Sequence, residues 1–485
     1  MIFAWCIREP LRAALLDQYI LYNVDDIFRY CYIKAAPYNW LIFLNPYVKV
    51  GYAIMGSVFH ILLPFGIFSL RIMNILFSCA TLFLVYRIAR MLSLSRRAAS
   101  IAVFLAITFP VYFLGSISTF SEIMFAFMIL LAVFLTLKRK YTVSFMLVAF
   151  LPLFRQVEGL LCIAIWLGLF RGKYKKRYAI FMGIPFILWS IFIIHFLKYD
   201  FFQIFFYLYP SVFPVSATGP FDRFLILGGI LFLHPVILMA FWGAKMNWRD
   251  PRYWFVTRFF LIMVAFLAGF QITHFFHSLR ILSQGLFCLE GRILIPLVPL
   301  MAILSSAVLE RYLFPRFMMK KIYFVGGIAL LVLVCVFQIR ALQYDVKRKG
   351  DSLSRSQEYQ IKESSRWLSV YMRQQNISAV CVPGSLTTHK VIRRIWMYLP
   401  GSTSLYGVGG EHRVVQYIGN GIYDMQTMTV LTGFPRHEQA VLLSLERIDP
   451  EAMSGNIKVE YIRYDQRIPL YFYLMNVSDP RMPIR

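Results

Sequence analysis

The sequence predicts a mainly α fold: a polytopic transmembrane helical bundle of about 10–11 spans, with an outer-facing surface loop ahead of it and a small C-terminal α/β or α+β soluble domain. Three observations lead there. Apolar stretches of near-membrane length recur from about residue 69 to residue 340 in a chain that is 59% hydrophobic with a mean hydropathy of +0.62. These stretches are continuously apolar rather than alternating, which selects helices over a barrel. Beyond residue 341 the composition turns mixed and polar. The expected domains are therefore 1–67 as the outer loop, 68–340 as the membrane bundle and 341–485 as the soluble domain.

Taken in order, spans are expected near 69–90, 99–118, 120–137, 143–153, 157–170, 178–197, 224–244, 255–276, 293–310 and 322–340. The stretches 143–153 and 157–170 are too short for two full crossings and read as a tight hairpin or two half-buried helices. Residues 46–64 read as an amphipathic helix on the outer surface, with Lys49 and His60 among its polar residues. In the tail, 361–375 has helical periodicity, and 378–383, 427–432, 459–464 and 470–475 read as strands.

The loops 86–97, 138–140, 171–177, 245–258 and 311–321 carry twenty Lys or Arg, against five in the short loops of the opposite side. That asymmetry puts the first set in the cytoplasm, and both the N-terminal segment and the tail outside. The net charge of +26 is thus a topology signal with lipid-headgroup contact, and no nucleic-acid-binding motif accompanies it. The seven cysteines form neither a C-x-x-C pair nor a metal spacing with the histidines, and no cleavable signal peptide is visible before Arg8, Glu9 and Pro10.

Ionisable groups beside or inside such a bundle are costly, so each is a candidate site residue. Asp25 and Asp26 are adjacent carboxylates ahead of the spans; they suit a general base, or the N-cap of a helix starting near Ile27. Arg155 and Glu158 interrupt the apolar hairpin. They pair with each other, or Arg155 offers its planar fork to a phosphate. Glu122 opens a span after Ser121 and fits either a helix N-terminus or a site. Arg292, Arg280, His274 and His277 gather before 293–310. Two histidines three apart can ligate a metal, yet no carboxylate partner is evident, so no metal site is assigned and no cofactor is required, a divalent cation being left open. Arg71 reads as the snorkelling outer end of its span.

The ordered pieces Asp25-Asp26, Phe68-Ser-Leu-Arg-Ile-Met-Asn74, Ser121-Glu122, Leu153-Phe-Arg-Gln-Val-Glu-Gly159 and Glu290-Gly-Arg-Ile-Leu-Ile-Pro296 resemble the glycosyltransferase C superfamily. Within it the likeness is to bacterial relatives of protein mannosyltransferases and lipid A aminoarabinose transferases. The resemblance implies a transmembrane helix before the acidic pair; only 24 charge-interrupted residues precede it here, so that helix is short or truncated. It also implies that the catalytic base is an acidic residue in the first outer loop, Asp25 or Asp26, deprotonating the acceptor hydroxyl.

With the resemblance, the expected activity is inverting transfer of a hexosyl, mannosyl or related sugar from a polyprenyl-phosphate donor to a glycan, lipid or protein acceptor. Arg155 and Arg292 would hold the donor phosphate, supported by Glu122, Glu158, Arg71 and His277. The protein would lie in a bacterial inner membrane with its site on the periplasmic side. The rivals are a transporter or flippase of a lipid-linked saccharide, and a surface-glycan ligase or polymerase. No internal repeat of the kind many transporters carry is present.

Overall fold

The structure is a computed structural model describing residues 24–38, 40–44, 49–170, 173–197, 235–277 and 294–313, and, in the tail, 355–377 with seven strands and short pieces between 391 and 400. The chain divides into two compact units. One contains Leu63–Lys349; the other joins Tyr22–Leu62 to Gly350–Arg485. The segment carrying the acidic pair therefore belongs with the tail, although some 290 residues separate them in sequence.

The C-terminal unit begins with α1 (Val24–Ala35) and α2 (Val50–Leu62). The Ser57 hydroxyl donates to the Ile33 carbonyl at 3.0 Å and ties the two helices together. The small residues Gly51, Ala53, Gly56 and Ser57 of α2 are buried, whereas Ile54, Val58, Ile61 and Leu62 are exposed. The reading of 46–64 changes in one respect: Lys49 is buried ahead of the helix, while the outward stripe at i, i+4, i+7 and i+8 is apolar. The small residues let α2 approach α1 closely, and Tyr52 and Val50 are buried on the helix with them.

Further along, α13 (Arg355–Gln374) packs its Ile361, Leu368 and Met372 face inward; the labels α3–α12 are kept for the helices between. Among the described residues the sheet has seven strands in the order β4-β3-β2-β1-β5-β7-β6. They are β1 (Ala379–Pro383), β2 (Ser404–Val408), β3 (Val414–Ile418), β4 (Gly421–Asp424), β5 (Glu438–Ser444), β6 (Ile457–Asp465) and β7 (Leu470–Val477). Parallel pairing of β1 with β2 and β5 sits between two antiparallel ribbons. Trp367 of α13 meets Phe472 of β7 edge-on at 5.2 Å, with the Arg463 guanidinium 4.8 Å from the Trp367 ring. The expected strand at 427–432 lies outside the described residues.

Lys34, near the end of α1, is 4% exposed and donates to the carbonyls of Met397 (3.2 Å) and Leu399 (2.6 Å). Burial pushes its amine from 10.5 down to about 8, with Cys31 acting weakly in the opposite direction. The sign follows from linkage: between pH 8 and 10.5 the unfolded chain binds the proton that the folded chain has lost, so stability rises with pH across that window. Burial moves Tyr30 the other way, and its ionisation when unfolded opposes the gain above pH 10. Melting followed from pH 8 to 10 is expected to show stabilisation on the order of 2–3 kcal/mol from this group. Lys34→Met is expected to flatten that slope; an unchanged slope would reassign it to other groups.

In the other unit, α3 (Ile67–Met91) starts at Gly66, whose φ of 67° suits glycine, and ends in a turn where Arg90 Nη1 donates to the Leu94 carbonyl at 2.6 Å. The Ser95 hydroxyl caps α4 (Arg96–Thr108) by accepting from the Ala98 N–H, and the Ser95 N–H donates to Glu310 at 2.9 Å. The expected span 99–118 is two helices: Phe109, held extended by the following proline, separates α4 from α5 (Pro110–Ser116). Then come α6 (Ser121–Leu137), α7 (Tyr141–Phe154), α8 (Gln156–Leu169) and α9 (Lys173–Phe192). After them lie α10 (Pro235–Met246), α11 (Trp254–His277) and α12 (Val298–Val308). Among the described residues α3 meets both the length and the hydropathy of a bilayer crossing, while Ser121–Leu137, Tyr141–Phe154 and Gln156–Leu169 are apolar but shorter. Pro110 and the break at Arg155, just after Pro152, account for part of that shortening, whereas Pro185 is carried inside α9 without ending it. Of 224–244 only the part from Pro235 is described, and 322–340 lies outside the described residues.

Polar ties hold the apolar helices in register. The Ser144 hydroxyl on α7 donates to the Ala132 carbonyl of α6 at 2.9 Å, shares a hydrogen with Thr136 at 2.7 Å, and accepts from Trp166 Nε1 of α8 at 3.2 Å. The Trp166 ring then meets Phe255 and Phe259 of α11 edge-on at 5.0 and 4.8 Å. Bonds of this kind between apolar helices contribute about 0.6–2 kcal/mol each and specify which helices pair.

Candidate active site

The site is built on a one-residue interruption. Arg155 alone separates α7 from α8, with extended torsions of φ −152° and ψ 110°. Both helix ladders close around it: its N–H donates to the Leu151 carbonyl at 3.1 Å, and its own carbonyl accepts from Gly159 at 2.8 Å. Both backbone groups of Arg155 are thus hydrogen-bonded across the break. Pro152 in the last turn of α7 removes a donor, and Gly159 permits the second helix to fold back against the first. A Cβ at Gly159 would stand 2.3 Å from the Pro152 nitrogen and 2.5 Å from the Leu151 carbonyl carbon. Backbone cannot yield that far. Gly159→Ala is therefore expected to cost at least about 1–3 kcal/mol by overpacking. The loss should appear as a lower melting temperature in detergent; wild-type melting would show the helices can separate freely.

The Arg155 guanidinium lies between two carboxylates from different elements. Its Nη1 meets Glu122 Oε1 at 2.5 Å; its Nε donates to Glu158 Oε1 at 2.8 Å, and Nη2 reaches the same oxygen. Glu122 is wholly buried in the first turn of α6, where the helix N-terminus favours negative charge. The turn before it is held by Asn74 of α3, whose Nδ2 donates to the Ser118 (2.7 Å) and Phe120 (2.9 Å) carbonyls. Glu158 sits in the first turn of α8. The Arg155 and Glu158 side chains keep 14% and 17% exposure. Three of the five guanidinium N–H groups are engaged, leaving one on each terminal nitrogen able to donate to an anion at the exposed edge.

Glu122, Arg155 and Glu158 are thus brought together, the Arg155–Glu158 pair being one of the two readings of the sequence. The sequence offers Glu122 as a helix N-terminal acid or a supporting site residue, and its direct contact with Arg155 goes beyond what either reading specifies. Its signal was a fully apolar span with a lone arginine awaiting a counter-charge. Arg71 requires a correction. It is 1% exposed and its guanidinium lies 5.4 Å from the Phe68 ring, so it does not snorkel outward. The reason is position: Arg71 lies in the second turn of α3, one turn before Asn74 on the same face, and points into protein.

Asp25 and Asp26 occupy the first turn of α1, which begins at Val24, three residues before the expected start; their side chains lie outside the description. His277 ends α11, with His274 one turn earlier, again as backbone only. Arg292 and Arg280 lie outside the described residues. Among the described residues no group of three or more His, Cys, Asp or Glu is placed to hold a metal.

The chain shares its fold with ArnT from Cupriavidus metallidurans, at a TM-score of 0.56, 13% sequence identity and 98% coverage of both chains in the apo crystal structure. The ArnT structure bound to undecaprenyl phosphate matches equally, at 0.56 and 13%, over 99% of each chain. No protein-family model and no curated protein matches the sequence significantly.

Proposed function

We propose that this protein is an integral membrane glycosyltransferase that moves a sugar from a polyprenyl-phosphate carrier to a hydroxyl acceptor. The observation that carries the reading is the fold likeness over essentially the whole chain to a protein solved with undecaprenyl phosphate bound. The fixed, part-exposed guanidinium of Arg155 supplies the chemistry such a donor needs. Transfer creates negative charge on the departing phosphate, and a preorganised cation stabilises that charge without reorganising as it develops. Glu122 and Glu158 orient Arg155, and Arg292 is a second phosphate contact. Asp25 or Asp26 takes the proton from the acceptor hydroxyl as the new bond forms opposite the leaving phosphate, which inverts the anomeric centre. The sugar is a hexose such as mannose or a relative. The membrane is a bacterial inner membrane, with transfer on the face away from the basic loops.

Incubating the purified, reconstituted protein with radiolabelled polyprenyl-phosphate sugars and envelope extract tests the reading. A labelled product whose formation needs the polyprenyl phosphate supports it. Movement of the intact lipid-linked sugar between leaflets, without a new glycosidic bond, would overturn it in favour of a flippase.

A further inference from the structure

At the basic-loop end of the helical unit, α10 runs out into a turn before α11 and leaves a cleft of about 510 Å³, lined by Phe241, Lys245, Met246, Trp248, Arg249 and Leu261. Lys245 and Arg249 stand four residues apart and are exposed. Among the described residues neither meets a carboxylate. The neighbouring acid, Asp250, is already taken: Arg252 Nη2 lies 2.8 Å from Oδ2, and the Arg252 backbone N–H donates to Oδ1 at 2.9 Å. The hydrogen bonds from Arg252 hold the Asp250 carboxyl below its usual range and keep it ionised, and its charge is matched by the Arg252 guanidinium, leaving Lys245 and Arg249 as the basic groups of the mouth.

The walls are aromatic and fixed. Arg258, one turn before Leu261 on α11, places its guanidinium 5.2 Å from the Trp248 ring and 4.8 Å from Trp254. Its Nε is buried and has no hydrogen-bond acceptor among the described residues. The Trp–Arg–Trp stack sets the Trp248 wall and adds a third positive charge behind it. Below the mouth, Phe241, Leu238 and Trp242 are 41%, 50% and 49% exposed, with Trp242 stacked on Tyr312 at 5.4 Å. A soluble anion has no use for that apolar wall, whereas a phosphate joined to acyl chains matches both parts.

We propose that this cleft seats one anionic phospholipid of the leaflet bearing the basic loops, its headgroup phosphate between Lys245 and Arg249 and its chains along Phe241 and Leu261. The site lies apart from Arg155, and its occupancy is read without sugar transfer.

Native mass spectrometry of detergent-purified protein is the test, with phosphatidylglycerol, phosphatidylcholine, polyprenyl phosphate or inorganic phosphate added separately. One phosphatidylglycerol per chain should be retained, and Lys245→Gln with Arg249→Gln should weaken it by about thirtyfold, two basic groups having been removed. Charge-conserving exchange, Lys245→Arg with Arg249→Lys, should retain it. Removing equal charge elsewhere on the same side, Lys138→Gln with Arg139→Gln, should leave it unchanged. An equal loss in that distant pair would reduce the effect to bulk charge and overturn the proposal. So would equal retention of phosphatidylcholine, preferential retention of polyprenyl phosphate, or displacement of phosphatidylglycerol by millimolar inorganic phosphate.

Discussion

Asparagine at position 25 or 26 is expected to abolish most sugar transfer while leaving the protein folded and inserted. The exchange conserves shape and removes only the proton acceptor. A positioned general base contributes about 10²–10⁴ in rate, so one of the two variants should fall by at least about 10². From the sequence Asp25 is the favoured base, Asp26 lying nearer a helix expected to start near Ile27; α1 instead begins at Val24, so both acids lie in its first turn and the other of the two favours the helix N-terminus. Losing that interaction costs about 0.3–1 kcal/mol, a mild defect beside the loss of a base. Polyprenyl-phosphate binding should survive in both, because the base addresses the acceptor and not the phosphate. Parent rates in both asparagine variants would make the acidic pair structural and sink the proposed mechanism.

Alanine at Arg155 is expected to cost both stability and donor use. It leaves Glu122 buried without its guanidinium, and removing one member of a buried ion pair costs about 3–5 kcal/mol. A lower melting temperature alone would not establish phosphate binding. Arg155→Leu combined with Glu122→Gln removes charge from both sides and should recover much of the stability while donor binding stays lost. Arg155→Lys keeps the charge but cannot bridge Glu122 and Glu158 as a planar fork, so its donor affinity should fall between wild type and alanine. Wild-type donor affinity in the stable double variant would confine Arg155 to a structural role.

The helices most visible in the sequence were those whose apolar run is unbroken, as in Ile67–Met91 and Ser121–Leu137. Their period and composition need no knowledge of neighbours. Much of the sheet was not legible. Ser404–Val408 and Val414–Ile418 are five residues each beside Gly or His, and their stability comes from pairing with strands distant in sequence. The Arg-x-x-Glu-Gly pattern exposed its ion pair through the three-residue spacing of Arg155 and Glu158, and the role of Gly159 emerged only from the close approach of α8 to Pro152. Glu122 lies 33 positions from Arg155, and no local rule joins residues so far apart. The burial of Lys49 ahead of α2 was likewise not legible, because a basic residue marks solvent only where folding leaves it exposed.

The C-terminal unit is assembled from both ends of the chain, and this sets a clock on its biogenesis. Tyr22–Leu62 leaves the ribosome early, but β7 follows only about 400 residues later. At typical synthesis rates of 5–20 residues per second the first segment waits roughly 20–80 s for its partner strands. Throughout that interval the outward stripe of α2, Ile54, Val58, Ile61 and Leu62, has no completed domain behind it. A nascent chain arrested before residue 350 should therefore leave this segment open to protease, and its release into the full-length protein should protect it.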